Sequence, residues 1–140
     1  MIYTGPELKK AHAWDAGYDL ISTVDIEIPP GDRAFISTET RVILLSKEVG
    51  LVCPRSGLGK KGIGIVNAPG VIDAGYTGRI GVTLINHAET PYRVAVGDKI
   101  AQLVVVELGA LTASRVDPEV FEKAAGGYDR GEKGFGSSGR

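Results

Sequence analysis

One cysteine and two histidines occur in 140 residues, and each scarcity closes off a class of function. Cys53 has no partner for an internal disulfide, which fits a reducing, cytoplasmic setting. Within the apolar stretch Val49–Cys53 it reads as a small buried hydrophobe. His12 and His87 cannot complete a zinc site with one thiol. No apolar run approaches the roughly 18 residues of a membrane-spanning helix, the densest stretch being Ile100–Leu108, so no membrane partner is expected. Met1–Pro6 lacks the basic start and apolar segment of a signal peptide, so export is not expected. There is no basic excess either: sixteen Lys and Arg face seventeen Asp and Glu, for a net charge of −1. A nucleic-acid binder is thereby disfavoured, and an anionic ligand must be held by a few placed arginines and backbone amides.

What is present has the character of a compact soluble domain, with 43% hydrophobic residues and a mean hydropathy of +0.04. Short β-like runs separated by turn residues dominate. Asp25–Ile28 alternates and is stopped by Pro29-Pro30-Gly31-Asp32. Arg33–Ser37, Arg41–Leu45, Val49–Cys53, Ile63–Val66, Arg79–Asn86, Tyr92–Val96 and Ile100–Leu108 follow, with turn chemistry at Pro69-Gly70, Gly75 and Val96–Lys99. This spacing predicts an all-β fold, an antiparallel barrel or sandwich of the jelly-roll kind. Only Asp117–Ala125 has helical character, with Asp117 as N-cap and Pro118 opening the helix. The expected organisation is one β domain over residues 1–125 and a flexible, glycine-rich C-terminal arm over 126–140. That arm reads as a plain tail by composition, yet Arg130 and Phe135 stand out in it. A cation and an aromatic are what an arm needs to fold over a phosphorylated base.

Two common nucleotide signatures are excluded. The chain contains no G-x-x-x-x-G-K-[ST] sequence. Gly134–Gly139 matches G-x-G-x-x-G, but only Arg140 follows it, so no helix can open there and the match is not a dinucleotide fingerprint. Four other segments carry chemistry, and each also has a plain reading. In Cys53–Gly59, an arginine and a hydroxyl precede a glycine whose amide a phosphate can approach; Arg-Ser-Gly is equally an ordinary surface turn. In Gly70–Gly78, Asp73 follows two β-branched residues, where partial burial would poise it as a base; it is equally an Asp opening a hairpin turn. Ala16–Leu20 and Gly97–Leu103 each place one polar residue, Asp19 or Gln102, in an apolar strand, where an inward-facing polar group needs a partner.

Together and in this order, these segments resemble the trimeric dUTP nucleotidohydrolase family. Five ordered motifs have counterparts: Ala16–Leu20, Pro54–Gly59, Gly70–Val82 with Val66–Pro69 before it, Gly97–Leu103, and Arg130-Gly131 with Gly134–Gly139. The resemblance spans nearly the whole chain from Ala16. Lys133, where glycine is more usual, and Trp14-Asp15 before the first motif depart from the pattern.

The resemblance implies hydrolysis of dUTP to dUMP and pyrophosphate by water attack on the α-phosphorus. Such an activity limits uracil incorporation into DNA and supplies dUMP for thymidylate synthesis. It implies Asp73 as general base, and Ser56 with the Gly57 amide stabilising charge at the α–β bridging oxygen. By the same resemblance Arg55 and Gln102 bind phosphate oxygens, and Arg130 reaches the terminal phosphates. Mg²⁺ is the implied cofactor, held mainly on triphosphate oxygens with Asp19 touching it through water. Asn67 and the backbone at Val71, Ile72 and Gly81 read uracil, Tyr76 packs on the deoxyribose, and Phe135 with Gly136 closes over the base. Sites between the subunits of a homotrimer are implied too, and some members of the family bind regulatory proteins. Two rival readings are a dCTP deaminase of the same fold, and a binding module that has lost catalysis. Thr83 stands where the deaminases carry their catalytic glutamate, and Asp73, Ser56 and Arg130 are all retained.

Overall fold

The computed structural model describes residues 1–109 and 113–127. Two compact units divide the chain, Met1–Gly109 and Ala110–Arg140. In the first, the described strands are β1 (Ile2–Thr4), β2 (Gly17–Ile21), β3 (Ile26–Ile28), β4 (Arg33–Ser37), β5 (Arg41–Ile43), β6 (Glu48–Cys53), β7 (Ile63–Ile65), β8 (Gly70–Ile72), β9 (Gly81–Asn86), β10 (Tyr92–Val94) and β11 (Lys99–Glu107). A single helical turn, α1 (Ser56–Gly59), follows β6. All strand pairs are antiparallel, so the all-β expectation holds. In the second unit the described helix is α2 (Pro118–Ala125), with Asp117 at its N-cap but no side-chain capping bond. Glu119 in its first turn and Lys123 in its last complement the helix dipole.

The strands form as they do because apolar residues alternate. In β9, Val82 and Leu84 point inward with Asn86 while Gly81, Thr83 and Ile85 lie on the other face. Leu20, Ile28, Ile36, Val52, Leu103 and Val94 complete the same core from six other strands, each nearly inaccessible to solvent. Full burial of each large aliphatic side chain contributes about 1.5–3 kcal/mol. The one deeply buried amide, Asn86, is fully used: Nδ2 donates to the carbonyls of Ile28 (2.9 Å) and Thr90 (2.8 Å), and Oδ1 accepts from the Ala88 amide (2.9 Å).

Four of the strands matter most for function. They form one sheet in the order β2-β11-β6-β8, beside a three-stranded sheet β4-β9-β7 and the pairs β1-β5 and β10-β3. The first and fourth motifs therefore lie on adjacent strands, the second follows the next strand over, and the third begins on the far edge. The Asp73 turn is not a simple hairpin. β8 pairs with β6, whereas β9 pairs with β4 and β7, so the connection carries the chain from one sheet to another.

Candidate active site

The register of the four-stranded sheet places three residues in one row: Asp19 on β2 opposite Gln102 on β11, and Gln102 opposite Cys53 on β6. Their side chains are half-buried on the face away from the core. Asp19 and Gln102 are therefore not inward-facing, because Leu20, Ala101 and Leu103 occupy the alternate, core-facing positions. Cys53 shares that face, so it is not the fully buried hydrophobe its sequence context suggests.

Beyond Cys53 the chain turns into α1, and Arg55 folds back over the row. Its Nη1 donates to Asp19 Oδ1. Lys99 Nζ stands 2.7 Å from Oδ2 of the same carboxylate. That ammonium is off the line a hydrogen bond requires, so Oδ2 is buried beside a cation with no aligned donor. Gln102 Nε2 donates to the Pro54 carbonyl (3.1 Å), tying β11 to the start of the Arg-Ser turn. Gly17 makes this arrangement possible, since a Cβ there would stand 2.8 Å from Gln102 Oε1. Around these groups lies an open cavity of about 260 Å³, lined by Asp15, Gly17, Asp19, Arg55, Ser56 and Gln102 together with Ala11 and Ala16. Nothing lies within 4 Å of a Cβ built on Gly57, so that backbone is open to a ligand. One guanidinium, a hydroxyl, an amide side chain and open backbone suit the oxygens of a phosphate chain. The cavity is smaller than the roughly 300–1,000 Å³ of a complete small-molecule site.

Asp73 is not part of that cavity. Ile72, the residue before Asp73, pairs with Gly50, three residues down β6 from Cys53 and thus about 10 Å along the strand. Asp73 also lies on the opposite edge of the sheet from Asp19. Its side chain is exposed rather than partly buried, because Ile72 takes the sheltered position against Gly50 and Asp73 begins the turn. The turn closes with the Tyr76 amide donating to the Asp73 carbonyl (2.9 Å). Tyr76 Oη donates to the Arg79 carbonyl (2.8 Å), and Arg41 Nε donates to the Thr77 carbonyl (2.7 Å), which fastens the turn to β5. Thr77 also joins Tyr3, Arg41 and Ile43 around a separate cavity of about 230 Å³.

The other expected base-reading residues sit near this turn. Asn67 is exposed, its Nδ2 3.6 Å from the Cβ position of Gly70, and Val71 is exposed on β8. Gly81 opens β9 opposite Ser37, and the Phe35 ring leaves no room there for a Cβ. Arg130, Phe135 and Gly136 lie outside the described residues. Sequence reasoning missed Lys99 and Asp15. Asp15 accepts the His12 amide (2.8 Å) and so fixes the turn that forms one cavity wall. The signal for Lys99 lay inside the Gly97–Leu103 motif, but the phase of its strand concealed it.

Comparison with known proteins agrees with this geometry. A dUTPase family model matches residues 5–139. The deoxyuridine 5′-triphosphate nucleotidohydrolase of Mycolicibacterium gilvum is 46% identical over 139 residues, covering 96% of this chain and 88% of the relative. A variant of the Staphylococcus bacteriophage 80alpha dUTPase solved with dUpNHpp superposes with a TM-score of 0.84 at 31% identity, covering 96% of this chain and 92% of that one. A phage phi11 dUTPase variant from S. aureus, described with a structural Mg(II) ion, gives 0.72 at 29% identity over 79% of this chain and 89% of its own. With its phosphate-type cavity built from three ordered motifs and a match running almost from end to end, the chain belongs to the dUTPase family.

Proposed function

We propose that the chain hydrolyses dUTP to dUMP and pyrophosphate, in sites assembled between the subunits of a homotrimer. The observation that carries the shared site is the separation just described. Asp19, Arg55, Ser56 and Gln102 converge on one cavity, while Asp73 lies at the other end and edge of the same sheet. A general base must come within hydrogen-bond reach of its water, and that water must reach the phosphorus held by the Arg-Ser turn. About 10 Å along the sheet, and the width of the sheet besides, is too far within one chain. A neighbouring subunit that brings its own Asp73 turn to this cavity completes the constellation, and its added surface enlarges a cavity too small for a whole nucleotide.

In that site Arg55 and Gln102 bind phosphate oxygens, and Ser56 Oγ with the Gly57 amide donates to the α–β bridging oxygen as the pyrophosphate leaves. Asp73 takes the proton of the attacking water. Asn67 and the backbone at Val71, Ile72 and Gly81 read the uracil edge, and Tyr76 covers the deoxyribose. Residues 126–140 act as an arm that brings Arg130 to the terminal phosphates and Phe135 with Gly136 over the base. The cofactor is Mg²⁺. Among the described residues no group of three or more His, Cys, Asp or Glu could cage a metal. Asp15 and Asp19 do line the cavity, and carboxylates there suit the waters of a hydrated cation. When bound, Mg²⁺ offsets phosphate charge and orients the chain of phosphates. Among the described residues no helix is long and apolar enough to cross a membrane, and we place the enzyme in the cytoplasm.

Pyrophosphate release from dUTP, dCTP, dTTP and UTP in excess Mg²⁺ tests the activity. Turnover of dUTP should exceed that of dCTP by orders of magnitude, since unpaired polar groups reject a wrong base strongly. Comparable turnover of dCTP, or ammonia released from it, contradicts the assignment.

A further inference from the structure

Two cations converge on Asp19, and only one of them belongs to the phosphate-binding turn. Arg55 donates to Oδ1, and Lys99 stands 2.7 Å from Oδ2. The carboxylate is only 13% exposed, whereas Lys99 is 48% exposed. A charge this sheltered is costly to leave unpaired. Arg55 spends Nη1 on Asp19 and keeps its other N–H donors for phosphate oxygens, so a bound nucleotide and Asp19 compete for the charge of one guanidinium.

Lys99 reaches Asp19 because β11 is bulged. The pairing with β2 runs Lys99↔Ile21 and then Ala101↔Leu20, leaving Ile100 as the extra residue. In an unbroken strand Lys99 would share the core-facing side of Ala101 and Leu103, both fully buried. The bulge instead turns Ile100 inward, at 1% exposure, and puts Lys99 on the cavity face, diagonally across from Asp19.

We propose that Lys99 is a positioning residue acting through Asp19: it holds that carboxylate aimed and charge-compensated, which releases Arg55 to the phosphates of the bound nucleotide. This inference rests on the phosphate-binding role given to Arg55 above. Without Lys99, Arg55 is the sole cation on Asp19, and its transfer to nucleotide becomes less favourable. Once Asp19 is made neutral, the need for Lys99 disappears.

A double-mutant cycle separates this from a direct Lys99–phosphate contact. Affinity for a non-hydrolysable α,β-imido dUTP is measured by calorimetry on the parent, K99M, K99Q, K99R, D19N and D19N/K99M, alongside dUTP turnover and melting temperature. K99M and K99Q should bind about tenfold more weakly than the parent, about 1.4 kcal/mol of lost charge compensation at a sheltered carboxylate. K99R should restore binding to within about twofold, and in the D19N background K99M should change affinity less than about twofold. An equal K99M effect in both backgrounds would mean that Lys99 touches phosphate directly and would overturn the proposal. So would a lowered melting temperature in K99M with unchanged affinity, which is a merely structural role. A parent that fails to hydrolyse dUTP would overturn the functional reading instead, so the two failures are distinguishable.

Discussion

Gly17→Ala tests whether the cavity depends on close contact between β2 and β11. A methyl group at residue 17 would stand 2.8 Å from Gln102 Oε1, 3.1 Å from its Cβ and 3.3 Å from its Cδ. The amide end can rotate away, but the Cβ is anchored to the central strand of the sheet and cannot. Gln102 must then swing off its hydrogen bond to the Pro54 carbonyl, a loss of about 0.5–1.5 kcal/mol. The residual crowding at Cβ costs about 1–3 kcal/mol as an overpacked contact. Their sum, roughly 1.5–4.5 kcal/mol, corresponds to a fall of about 5–20 °C in Tm for a domain of this size. Thermal unfolding at fixed protein concentration reads the stability, and the KM for dUTP reads the displaced amide, with both expected to worsen together. Gly59→Ala is the stability control, since nothing lies within 4 Å of its added Cβ. A Gly17→Ala enzyme that melts within about 2 °C of the parent and keeps its KM would refute the reasoning.

Three further outcomes follow from the site. Asp73→Asn should lower kcat by at least about 100-fold while leaving analogue binding intact; turnover within about threefold of the parent removes Asp73 as the base. Tyr76→Ala should raise UTP turnover relative to dUTP and leave the rejection of dCTP unchanged, as read from kcat/KM on the three nucleotides. An unaltered dUTP/UTP ratio takes Tyr76 out of sugar selection. Deleting residues 128–140 should abolish turnover with little change in melting temperature, whereas full activity would make the segment a plain tail.

Much of this architecture was legible in the sequence because its signals were local. Arg33–Ser37 is a short run directly after the Pro29-Pro30-Gly31-Asp32 turn, and it forms β4 over those same residues. The α2 helix also begins where Pro118 fixes the first helical φ and Asp117 precedes it. Long-range pairing was not legible. That Gln102 lies between Asp19 and Cys53 depends on which strands are neighbours, and neither spacing nor composition carries that information. The bulge at Ile100 hid Lys99, because period-two alternation points it at the core until an extra residue shifts the phase. Nor could alternation show the exposure of Asp73, since the strand ends at Ile72 and its inward–outward rule ends with it. The displacement of Asp73 from the phosphate-type cavity is likewise a property of strand order rather than of any motif.

A subunit-complementation assay tests that displacement most directly. Ser56→Ala and Asp73→Asn are each expected to be nearly inactive alone. Refolded together in equal amounts, they form mixed trimers in which some interfaces pair an intact Ser56 turn from one subunit with an intact Asp73 from its neighbour. Random assembly makes about one interface in four fully intact, so dUTP turnover should recover to about a quarter of the parent value. Recovery to that level is the predicted result; a mixture no more active than either variant alone would contradict a site shared between subunits.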